Sequence, residues 1–172
     1  MVKWIGAILI LAAGTMIGFL QAARFAERPR QLRQLAHALQ RLETEIGYGY
    51  TPLPEALRRT AGHVPAPVAS ILSGAAERLL APEGPAFREC WEESVRSCWP
   101  QTAMRSGEQA VLLRLGSALG LSDREDQIKH LRLAMLQLKA EEDAAKDDQA
   151  RYEKMSKSLG ILVAALVVIL MV

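Results

Sequence analysis

The side chains able to do chemistry are few and scattered. None of His37, His63 and His130 has a second good ligand three or four positions further along its helix, the spacing that would bring two donors onto one face for a metal. The carboxylate pairs Glu43 with Glu45 and Asp147 with Asp148 are one or two residues apart, so on a helix they diverge and cannot share one substrate as acid and base. Cys90 and Cys98 are separated by eight positions in one predicted helix, ~12 Å at 1.5 Å per residue, too far for a disulfide. They read as reduced, buried thiols. There is no Gly-rich phosphate loop, no Cys-x-x-Cys, no His-Glu-x-x-His and no serine in a triad-like context. The sequence therefore assigns no catalytic residue, no cofactor-binding residue and no metal ligand, and reads as a non-enzyme.

The informative residues are charged and aromatic, and they gather at one corner. At Glu43-Thr44-Glu45-Ile46-Gly47-Tyr48-Gly49-Tyr50-Thr51-Pro52 one periodic helix closes and another opens. Gly47 and Gly49 are suited to the positive φ that ends a helix, Thr51 to an N-cap, and Pro52 to a first helical position. The turn does not require Glu43, Glu45, Tyr48 or Tyr50. With the basic lead-in Arg28, Arg30, Arg33 and Arg41 they are the candidate partner contacts. The plainer reading is that these groups solvate the helix, satisfy caps and meet lipid head groups.

The elements that must position this corner are helical. Half of the residues are apolar but only 5% are aromatic, a Leu- and Ala-rich balance that favours an all-α chain. The net charge of +2 gives no general affinity for polyanions. Residues 4–23 carry no charge and are long enough to cross a bilayer; Arg24, Arg28, Arg30 and Arg33 outweigh Lys3 and place the downstream side in the cytosol. The length of the run and the position of Arg24 favour a retained anchor over a cleaved signal peptide. Gly14 and Gly18 would let a second membrane helix approach, a route to self-association.

Leu32, Leu35, Ala36, Leu39, Leu42 and Ile46 then form one apolar face, followed by a short helix from Pro52 to near Gly62 and a third carrying Val68, Ile71, Leu72, Ala75 and Leu79. A fourth should run from Pro85 towards Trp99. A fifth is predicted from a Ser106–Gln109 capping box to Gly120, and a last from a Ser122–Glu125 box. In that last helix Ile128, Leu131, Met135 and Leu138 are apolar, but Glu142 and Gln149 interrupt the seven-residue phase, so the helix is expected to become a charged stalk. Residues 159–172 are apolar but short for a span, and Arg151, Lys154 and Lys157 again hold the charged side in the cytosol. The expected organisation is an N-terminal membrane helix (1–24), a cytosolic bundle of about six helices (25–138), a stalk (139–158) and a C-terminal membrane segment (159–172). Both termini would lie outside the cytosol.

An alternative is a membrane-anchored helix-turn-helix regulator, since residues 112–132 have that outline. Asp123, Glu125 and Asp126 open its second helix, where they would repel phosphates, and the same acids are explained by stabilising a helix N-terminus. No nucleic-acid partner is expected.

Three stretches carry a family resemblance: residues 27–35 (Glu-Arg-Pro-Arg-Gln-Leu-Arg-Gln-Leu), the corner from Glu43 to Leu53, and Glu153-Lys154-Met155-x-Lys157-Ser158-Leu159-Gly160. With Asp123, Gln127, His130, Leu133 and Ala134, they make the chain resemble the stage III sporulation protein AB family over nearly its whole length; residues 80–107 depart most. The corner is similar, more loosely, to cytosolic domains of platform proteins in type II secretion and type IV pilus machines. The resemblance implies a scaffold of the channel between mother cell and forespore, in the mother-cell membrane facing the forespore. Its implied partners are a secretion-type ATPase and membrane ring or channel proteins.

Overall fold

The computed structural model describes the backbone of residues 26–82, 85–120 and 123–171, with side chains as far as Met155. Every regular element among the described residues is helical. Helix α1 covers residues 26–47, followed by α2 (Leu53–Ala61), α3 (Val68–Leu79), α4 (Phe87–Cys98), α5 (Ser106–Leu119) and α6 (Arg124–Met171), with a 3-10 turn at Trp99–Gln101 after α4. The expected membrane helix at 1–24 lies outside the described residues, as do the side chains of 159–172. Among the described residues no helix is long and apolar enough to cross a membrane.

The core is built from the stripes that periodicity picks out. Leu32, Leu35, Leu39, Leu42 and Ile46 of α1 are buried, as are Ile71, Leu72 and Ala75 of α3 and Trp91 and Val95 of α4. Successive helices pack on one another from α2 through α6. Trp91 anchors the middle: its indole N–H donates to the Leu112 carbonyl at 2.7 Å, and its ring lies where a Cβ on Gly116 would intrude. Burial of the indole therefore requires that α5 carry no side chain at 116. Gln31 ties the loop after α4 to α1 by accepting from the Ala103 N–H at 2.7 Å.

Helices α1 and α6 run antiparallel along their shared length. Arg132 meets Glu43 at one level (2.7 Å), Arg33 meets Glu142 further along (3.0 Å), and Arg28 approaches Asp148 beyond that (3.6 Å). The first described residue and the exposed stretch Arg151–Met155 thus sit at the same end of the bundle, while the α1–α2 corner sits at the other, ~30 Å away for twenty residues of helix.

Several local expectations change. Pro29, whose fixed φ suits a helix start or a kink, instead lies inside an unbroken α1. The caps are shifted: Pro52 precedes α2 with no side-chain cap, and Thr51 donates instead to Glu45 Oε2 at 3.0 Å. Helix α5 is closed by Glu108, which accepts from the Arg105 N–H at 2.6 Å; at the start of α6 Asp123 Oδ1 accepts from the Asp126 N–H at 2.9 Å, while Ser122 of the expected box lies outside the described residues. In each case a carboxylate, a charged acceptor, holds the free N–H. Nor does α6 leave the bundle after Leu138. Glu142 and Ala145 are buried and Asp148 pairs with Arg105, so the exposed part begins further along.

Candidate functional site

The two ends of the α1–α6 pair are built differently. At the end where the chain enters and leaves, Arg28 is buried at 6% exposure inside a cage of acids. Its Nε and Nη2 donate to Glu108 Oε1 at 2.9 and 2.5 Å, and Nη2 also donates to Glu141 Oε2 at 2.9 Å. Arg105 completes the ring by donating to Asp148 at 3.0 Å. A planar guanidinium suits this task, since it offers several donors in one fixed fork. One turn further on, Glu142 is buried between Arg33, Lys139 and Lys146 at 3.0, 3.0 and 2.8 Å. Burial pushes its carboxyl up, but hydrogen bonds from Lys146, Lys139 and Arg33 outweigh that and hold it at about 2.

The opposite end is the corner. Helix α1 keeps its hydrogen bonding through Tyr48, whose N–H donates to Thr44 O at 2.9 Å; the Thr51 N–H then returns to Glu45 O at 3.2 Å. The left-handed residue is Tyr50, at φ 50°, and among the described residues no glycine has a positive φ. Gly49 serves a different need: a Cβ there would lie 2.7 Å from Glu45 O and 2.9 Å from Thr51 Oγ1. Tyr50 is held by Arg124 of α6, whose guanidinium carbon lies 3.7 Å from the ring centroid and whose Nη2 donates to Gly47 O. The Arg124 side-chain hydrogen bond and its charge also lower the Tyr50 phenol below its ordinary value.

The eight candidate residues therefore divide. Arg28, expected on the surface, is not exposed; its guanidinium is enclosed by Glu108, Glu141 and Asp148. Arg33 is engaged with Glu142. Arg30 is exposed and among the described residues pairs with Glu27 alone, at 3.4 Å. Glu43 and Glu45 are half-buried and paired with Arg132 and Arg59. Tyr48 and Tyr50 stand out at 87% and 77% exposure, and Arg41 is exposed with no hydrogen bond or ion pair among the described residues. Sequence reasoning missed Glu108, Glu141, Asp148 and Arg124, which have no local signature. Glu142 had one: a carboxylate in the apolar phase of α6.

No group of three or more metal-holding side chains forms around the histidines or elsewhere among the described residues; His130 has Asp126 alone close by, where its charge adds to the Lys129 hydrogen bond that lowers that carboxyl. Cys90 is buried and Cys98 half-buried, both as free thiols; burial pushes the Cys90 thiol up.

The chain is thus an all-α bundle, with the start of α1 and the exposed stretch Arg151–Met155 at one pole and exposed aromatic and cationic groups at the other. The family model described as stage III sporulation protein AB matches residues 3–172. Stage III sporulation protein AB of Bacillus subtilis (strain 168) is 41% identical over 171 residues, covering 99% of each chain. A solved structure titled stage III sporulation protein AB superposes with a TM-score of 0.68 at 38% identity, covering 73% of this chain and 98% of that one. The chain belongs to the stage III sporulation protein AB family.

Proposed function

We propose that this chain is a non-enzymatic membrane scaffold of the channel between mother cell and forespore. Its bundle is presented to the cytosol by two terminal anchors, and it couples a cytosolic ATPase to membrane components of the channel. The observation that carries the reading is polarity. The first described turn of α1 and the exposed stretch Arg151–Met155 lie at the pole locked by Arg28 and Glu108, while Tyr48 and Tyr50 are exposed at the pole ~30 Å away. Apolar flanks at 4–23 and 159–172 supply the anchors, so the aromatic corner faces away from the bilayer.

Tyrosine and arginine are enriched at the hot spots of protein interfaces: tyrosine adds large contact area with few rotatable bonds, and arginine adds a planar fork of donors. The left-handed Tyr50 adds backbone strain at the same place, fixed by Arg124. The regulator reading has less support. The first turns of α6 lie against the corner through Arg124 and Gly47, and Asp123 caps them, so this helix does not present a free basic end to a DNA groove.

The test is Tyr48→Ala in the full-length chain in sporulating cells. The expected result is fewer heat-resistant spores and reduced co-purification of the ATPase, with unchanged thermal unfolding. Normal spore yield and normal co-purification would remove the corner from the proposed contact surface.

A further inference from the structure

Beside the corner, α1 and the α2–α3 connection enclose an open cleft of about 380 Å³ lined by His37, Gln40, Arg41, Thr44, His63 and Val64. No carboxylate lines it. Of its polar side chains, Thr44 donates its hydroxyl back to Gln40 O at 3.1 Å, whereas His37, Arg41 and His63 make no side-chain hydrogen bond or ion pair among the described residues. Among the described arginines Arg41 shares this with Arg151, while Arg78, Arg114 and Arg124 donate to a carbonyl or amide oxygen. Arg28, Arg30, Arg33, Arg58, Arg59, Arg88, Arg96, Arg105 and Arg132 all have a carboxylate within reach.

We infer that this cleft receives an acidic side chain of a partner protein, with Arg41 as its cation and the imidazoles of His37 and His63 and the Gln40 amide as further donors. A neutral imidazole carries one N–H and a protonated one two, so both histidines can donate in either state. An Arg–carboxylate contact is planar and bidentate, and being charge-assisted it is the strongest polar contact such a cleft can offer.

Lipid and protein could both supply an anionic oxygen. Position along α1 favours protein: Arg41 lies fifteen residues into the described helix, ~22 Å from the pole where the chain enters. Residues 37, 40, 41, 44 and 48 also fall on one helical face, and the Tyr48 N–H to Thr44 O bond carries helical geometry to the last of them. The exposed tyrosine therefore continues the cleft, so that a partner's acid would dock into it while an apolar neighbour covers Tyr48. The inference rests on the reading of this pole as partner-facing and adds the chemistry of the partner.

The chain has three histidines, and His130 lies on α6 away from the cleft, which makes it an internal control. The full-length chain, labelled with 13C at the histidine rings and held in nanodiscs of zwitterionic lipid, is titrated with a blocked hexaglutamate peptide, with its hexaglutamine counterpart and with inorganic phosphate. The expected result is saturable shifts of the His37 and His63 resonances with hexaglutamate alone and none at His130. Arg41→Gln should weaken that binding by about tenfold or more. Equal shifts at all three histidines, a response to phosphate matching that to the peptide, or no response would each overturn the inference. Stronger His37 and His63 shifts on moving to anionic-lipid nanodiscs without peptide would assign the cleft to head groups and overturn it as well. Each of these failures leaves the Tyr48→Ala result to stand or fall separately.

Discussion

Replacing Arg28 by Met should destabilise the bundle far more than a surface charge deletion. Met keeps much of the aliphatic stem and removes the fork that donates to Glu108 and Glu141 and faces Asp148. Glu108 is fully buried, and the substitution leaves its Oε1 ionised without that donor while Oε2 still accepts from the Arg105 N–H. Leaving one member of a buried pair uncompensated costs ~3–5 kcal/mol, against ~0–1 kcal/mol for an exposed pair. Adding Glu108→Gln removes the stranded charge while an amide oxygen can still close the α5 N-terminus, so the double variant should recover ~1–3 kcal/mol of the loss. The assay is urea unfolding of the full-length chain in micelles, followed by far-UV circular dichroism at neutral pH, with the denaturant slope as a check that the states are comparable. A loss below ~1 kcal/mol for Arg28→Met would refute the reasoning, and so would a double variant no more stable than the single one.

Other substitutions test the packing and the polar core. Gly116→Ala drives a Cβ into Trp91 Cδ1; over-packing of this kind should cost ~1–3 kcal/mol or more and shift the near-ultraviolet tryptophan signal. Thr60 is fully buried and its hydroxyl has no hydrogen-bond partner among the described residues, so Thr60→Val should leave stability unchanged or raise it by ~1 kcal/mol in the same unfolding assay. The Glu142 carboxyl is depressed from 4.5 to about 2 in the folded state. Its contribution is therefore fully present above about pH 4.5 and lost as pH falls towards about 2. At ~1.4 kcal/mol per unit this amounts to at most ~3.5 kcal/mol. Glu142→Gln should lower stability at pH 7 and flatten its decline between those two pH values, which thermal unfolding as a function of pH will show.

Much of the fold was legible in the sequence because it rests on local periodicity. The α1 stripe through Leu32, Leu35, Leu39, Leu42 and Ile46 and the α3 stripe through Ile71, Leu72 and Ala75 are buried as their spacing requires. Ala36 of α1, Leu79 of α3 and Ile128 and Met135 of α6 are only half-buried, and in α1 Ala38 takes the core position instead.

What failed depends on contacts distant in sequence. Arg28 reads as one of a run of surface arginines, and only the acids that α5 and α6 bring to it explain its burial. The end of the bundle shifts for the same reason: the charges of α6 after Leu138 look solvated until Arg28, Arg33 and Arg105 face them. At the corner, residue types alone favoured glycine for the left-handed position. The close approach of Glu45 O and Thr51 Oγ1 occupies Gly49, and the Arg124 stack on Tyr50 then stabilises a conformation that Tyr rarely adopts. The exposed pair Tyr48 and Tyr50 was legible, since neither is needed to make the turn. Arg33, by contrast, is a poor site for testing partner contact by charge reversal, because reversing it would also disrupt the buried Glu142 cluster.

The scaffold account is tested most directly by placing a photo-crosslinking amino acid at position 48 of the full-length chain in sporulating cells and identifying the adduct by mass spectrometry. The account predicts a crosslink from position 48 to the cytosolic ATPase of the channel, and none from the exposed position 77 on α3. A crosslink to that ATPase from position 77 but not from position 48, or adducts with lipid alone at position 48, would contradict it.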